Sequence, residues 1–75
     1  MNQVQQKLFY KGYYTIPRYS VKDGLYYGWI EGISDLVCYE SDTQAGIMKE
    51  FCQAVDDYLS YCADTKQPPN APPEG

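Results

Sequence analysis

TQAGIMKEFCQAVDDYLSYCADT, residues 43 to 65, is the stretch whose reading decides the fold. Ile47, Phe51, Ala54, Val55, Tyr58, Leu59 and Cys62 recur at three- and four-residue steps, which puts them on one side of a helical period of about 3.6 residues. Lys49, Gln53, Asp56 and Ser60 fall opposite. The stretch therefore reads as an amphipathic helix, roughly 30 Å long at about 1.5 Å per residue. Its dry face must lie on something. Asp42 or Thr43 supplies the N-cap oxygen. Gly46 stands where a capping-box Glu belongs, which leaves a start that frays. Lys66 suits the negative pole at the far end, and Pro68–Pro69 cannot continue a helix.

Working outward from the helix, the preceding text is strand chemistry. Lys7 to Tyr19 is aromatic and β-branched and reads as strand 1. One side carries Tyr10, Gly12, Tyr14 and Ile16, the other Phe9, Lys11, Tyr13, Thr15 and Tyr19. Pro17 lacks an N–H and fits an edge or a bulge. Asp23–Gly24 closes a turn, Gly24 tolerating positive φ. Leu25 to Ile30 is strand 2, with Gly28 on the side under the helix, since glycine in a strand marks close backbone approach. Strand 3, Leu36 to Glu40, sends Val37 and Tyr39 inward. The fold expected is α+β: a three-stranded antiparallel meander covered by one C-terminal helix, β-β-β-α. Met1–Gln6 reads as a flexible N-terminus, residues 7–66 as the domain, and residues 67–75 as an extended Pro-rich tail.

With 75 residues, of which 16% are aromatic, the chain has a small core and more flat side chains than one helix can cover. Self-association is the usual remedy. The second face of the sheet, read as Tyr13, Leu25, Tyr27 and Trp29, is the expected homodimer contact, because Trp and Tyr anchor interfaces.

The net charge of −4 argues against a free-standing nucleic-acid binder, which needs a basic surface. The charge is also unevenly spread. Residues 1–22 hold Lys7, Lys11, Arg18 and Lys22 and no acid, whereas all ten acids lie from Asp23 onward, against Lys49 and Lys66. Glu50, Asp56, Asp57 and Asp64 form an acidic helix flank, expected to dock a basic partner. Cys38, Cys52 and Cys62, with no His and no CxxC, give no zinc pattern and read as reduced side chains of a cytoplasmic protein. The apolar runs are too short for a membrane span. Asp23, Glu31, Asp35, Glu40 and Asp42 sit in turns or at strand ends and do not converge as two-metal catalysis requires. No enzyme, metal or cofactor is expected.

Tyr10-Lys11-Gly12-Tyr13, Asp23-Gly24 followed by Gly28, Gly32-Ile33-x-Asp35, and Phe51…Val55-Asp56-Asp57-Tyr58-Leu59…Cys62 before a Pro-rich tail together resemble the HicB family of antitoxins over residues 8 to 75. The resemblance implies a partial ribonuclease-H-like fold that masks a small basic HicA toxin, a ribonuclease that cleaves messenger RNA. Family members usually continue into a DNA-binding domain, and autorepression is not carried over here. Ser41 replaces the family's Gly before the helix and Gly46 its usual Glu. The alternative function is a stand-alone phage or plasmid inhibitor of the anti-CRISPR type, blocking a nucleic-acid-binding surface of a nuclease subunit by acidic mimicry.

Overall fold

A computed structural model describes residues 7–69. The expectations for residues 1–6 and for the end of the Pro-rich tail lie outside them. The fold is α+β, with five antiparallel strands in two small sheets and a C-terminal helix. The strands are β1 (Leu8–Tyr10), β2 (Tyr13–Thr15), β3 (Arg18–Ser20), β4 (Leu25–Trp29) and β5 (Cys38–Ser41). The expected meander is the sheet β3-β4-β5, and β1-β2 is a hairpin beside it.

That hairpin corrects the reading of Lys7–Tyr19 as one strand. Lys11 and Gly12 both have positive φ, 54° and 85°, as the two central residues of a tight hairpin turn do. The chain reverses there, pairing Tyr10 with Tyr13 and Leu8 with Thr15. Beyond the turn, β2 and β3 behave as one strand interrupted at Pro17. Arg18 pairs with Tyr27, and the Glu31 N–H donates to the Tyr14 carbonyl at 2.9 Å, in the same register. Proline, having no N–H, breaks the ladder without shifting it.

The register also corrects the position of Tyr13. Directly opposed residues on antiparallel strands share a face, so Thr15 shares the face of Ile30, and Pro17 that of Gly28. This is the helix side, and Tyr13 belongs to it. Tyr13 is only 2% exposed and meets Tyr58 of the helix edge-to-face, with centroids 6.1 Å apart. It is a core residue and is not part of the outer face with Leu25, Tyr27 and Trp29.

The helix α1 spans Ile47–Asp64, preceded by a 3-10 turn at Gln44–Gly46. Thr43 is the cap of that turn, its Oγ1 accepting from the Gly46 N–H at 3.1 Å. Without a capping-box acid the first turn is the tighter 3-10 form, and regular α-helix begins at Ile47. Ile47, Phe51, Ala54, Val55, Tyr58 and Cys62 are buried, with Leu59 packed at the margin. Against them lie Tyr39, Ile30 and Tyr13, joined at the rim by Val37 and Tyr26. Gly28 fits under this layer because it has no side chain. A Cβ there would fall on the Tyr39 hydroxyl and within 2.7 Å of Tyr39 Cζ.

Candidate protein-binding surface

The helix has two flanks beside its buried stripe, and the sheet gives them opposite surroundings. Successive residues differ by about 100° around an α-helix, so residues seven apart share a flank. Glu50, Asp57 and Asp64 are such a set, while Asp56 falls about 100° away from Asp57. The four acids read from the sequence as one flank are therefore a row of three and a separate carboxylate.

Asp56 faces the β1-β2 hairpin. Its carboxylate accepts from Lys11 Nζ at 3.0 Å and from the Tyr10 hydroxyl at 3.2 Å. Lys11 also lies over the Tyr10 ring, 5.3 Å from its centroid. The hydrogen bond and charge of Asp56 push the Lys11 ammonium above its usual range, with Tyr10 adding to the effect. This carboxylate ties the hairpin to the helix, and its side chain stays 44% exposed.

On the other flank, Asp57 accepts from Gln53 Nε2 at 3.0 Å and stays exposed. Between this flank and the chain entering β5 runs a groove lined by Asp35, Leu36, Val37, Asp57, Tyr61 and Gln67, with Tyr58 at its floor. Among the described residues its lining includes no lysine or arginine. Leu36 is 78% exposed and Tyr61 54%. Sequence reasoning missed both as surface residues. The signal for Tyr61 was its spacing of four from Asp57; for Leu36 it was alternation with the inward Val37, and the structure starts β5 only at Cys38.

Leu25, Tyr27 and Trp29 do share the outer sheet face, where the Tyr27 and Trp29 rings are 6.3 Å apart. They line a shallow concavity with Leu36, Cys38 and Glu40. The Arg18 guanidinium lies 4.2 Å over the Trp29 ring and 3.7 Å from the Glu31 carboxylate, which holds the indole in place.

No protein-family model, curated protein or solved structure matches this chain.

Among the described residues no group of three or more His, Cys, Asp or Glu is placed to hold a metal ion. Nor is any helix there long and apolar enough to cross a membrane. Burial pushes the Cys52 thiol up, with Asp56 adding to the effect, so its thiolate is disfavoured and it is a poor nucleophile. What the surface offers chemically is a row of carboxylates beside exposed apolar side chains, an arrangement suited to binding a cationic protein surface.

Proposed function

We propose that this chain is a non-enzymatic inhibitor domain of the HicB antitoxin type, binding and masking a small basic HicA-type toxin in the cytoplasm. The observation that carries the reading is the exposed flank itself: Glu50, Asp57 and Asp64 in a row beside the exposed Leu36 and Tyr61. Carboxylates steer a basic partner into contact, and the apolar side chains give that contact its dry centre. Bound this way, the domain excludes RNA from the toxin by occupancy and by like charge. In the same reading the chain self-associates as a homodimer through Leu25, Tyr27 and Trp29.

The test is a tagged pull-down from the native host at low and high salt, with mass spectrometry of the co-purifying proteins. A small, basic, histidine-containing protein that is released by salt supports the reading. Subunits of a CRISPR or other nuclease complex would replace it with the acidic-mimic inhibitor. Capture of neither removes both.

A further inference from the structure

The edges of the sheet are not treated alike. β1 is flanked by Lys7 and Lys11, and β3 follows Pro17, begins with Arg18 and is followed by Val21 and Lys22. Lysine and proline are the usual guards of a strand edge. β5, at the other side of the order β3-β4-β5, has neither.

Its outward hydrogen-bonding groups can be assigned from the ladder. The Ile30 N–H donates to the Val37 carbonyl at 3.0 Å, and opposed pairs alternate between bonded and non-bonded along an antiparallel ladder. Gly28–Tyr39 and Tyr26–Ser41 are then the bonded pairs within the sheet. The N–H and C=O groups of Cys38 and Glu40 point out of it. Beside the chain that enters this edge stands the helix flank of Asp57 and Tyr61, across the groove from Leu36. On the opposite face, Leu36 and Cys38 adjoin Trp29 in the outer concavity.

We infer that the edge of β5, unpaired among the described residues, receives an extended strand of the basic partner, added antiparallel to the sheet by β-augmentation; this rests on the inhibitor reading above. The edge supplies backbone bonds and the two faces supply the sequence preference. Side chains of an added strand alternate between faces. One set meets Glu50, Asp57 and Asp64 and is cationic; the other meets Leu36 and Cys38 and is apolar. A second copy of this chain fits the edge poorly, because a two-fold axis there would set one acidic helix flank beside the other.

The register makes the test specific. Residues opposite Cys38 and Glu40 share their outer face, so the apolar residues of the added strand are the ones whose N–H groups reach β5. The probe is a capped peptide of alternating lysine and valine, titrated at millimolar concentration and followed by amide hydrogen exchange in NMR. The expected result is protection of the Cys38 and Glu40 amides. It persists when the lysines are N-methylated and is lost when the valines are. Glu40→Pro, which removes an outward N–H and leaves the ladder to β4 intact, weakens binding about tenfold or more while circular dichroism stays unchanged. If Glu40→Pro unfolds the chain, the N-methyl pair decides alone.

Protection elsewhere, or equal loss with both N-methylated peptides, overturns the inference. So does protection of these amides without peptide in a species of doubled sedimentation mass, which would place a second copy on the edge. The inhibitor reading fails separately, by the absence of a basic partner in the pull-down.

Discussion

The Thr15 hydroxyl lies 2.8 Å from the Tyr39 hydroxyl and 2.7 Å from the Trp29 carbonyl. A carbonyl only accepts, so Thr15 donates to Trp29 and takes the proton of Tyr39. Two polar side chains are thereby satisfied inside an otherwise apolar layer, beneath the helix and over Gly28. Thr15→Val leaves the Tyr39 hydroxyl without its acceptor and should cost about 1–3 kcal/mol in denaturant unfolding. Tyr39→Phe should cost less, and the double variant less than the sum of the two. Strict additivity would show that the two hydroxyls are not coupled.

Lys66 ends the helix at a positive φ of 58°. Its N–H donates to the Ala63 carbonyl at 3.2 Å, and that of Gln67 to the Cys62 carbonyl at 2.9 Å, the bonding of a Schellman cap. Glycine adopts this conformation without a Cβ penalty. Lys66→Gly is therefore expected to stabilise the domain by roughly 0.5–1 kcal/mol, read as a higher unfolding midpoint at unchanged slope. A lower midpoint would mean that the lysine side chain contributes more than its backbone costs.

Alkaline pH is expected to weaken the fold. The Lys11 ammonium is held above its ordinary 10.5 by Asp56. Its contribution is complete below that value and is lost as pH rises through the higher folded value. Burial raises the phenols of Tyr13 and Tyr39 above 10.0. Their unfolded forms ionise first, and the sign is the same. Stability should be flat between neutrality and pH of about 9 and then fall. Lys11→Met should be less stable than the parent at pH 8, with the gap closing as pH climbs past 10.5. A gap that stays constant would assign the effect to packing on Tyr10.

Asp56 and Asp57 are neighbours in sequence with different surroundings. Asp57→Asn should slow association with a basic partner, and the loss should shrink in high salt. Asp56→Asn should leave association unchanged and lower stability by releasing Tyr10 and Lys11. Surface plasmon resonance at two salt concentrations, with thermal melts, separates the two. The reverse pattern would relocate the docking surface to the hairpin flank.

Trp29→Ala should reduce the mass seen by light scattering if the outer face holds a second copy, since buried indoles dominate such contacts. Unchanged mass with intact circular dichroism would remove Trp29 from self-association.

The sequence by itself determined the helix, its buried stripe, the inward Val37 and Tyr39, and the need for glycine at position 28. Each of these is written in local periodicity or in one residue's special geometry. It also determined that the acids lie in the later part of the chain. Only the tertiary structure decided where the acids and aromatics stand. The turn at Lys11–Gly12 reads equally well as strand, because a Lys-Gly pair adopts positive φ only when the flanking segments pair. Tyr13 changed sides because alternation groups residues without saying which group meets the helix. That is fixed by the register with β4. Asp56 and Asp57 look alike in a sequence. They part because one flank of the helix meets the hairpin, whose Lys11 and Tyr10 bind a carboxylate, and the other borders the groove beside the chain entering β5. Such distinctions arise from contacts between segments some 45 residues apart, and no local pattern encodes them.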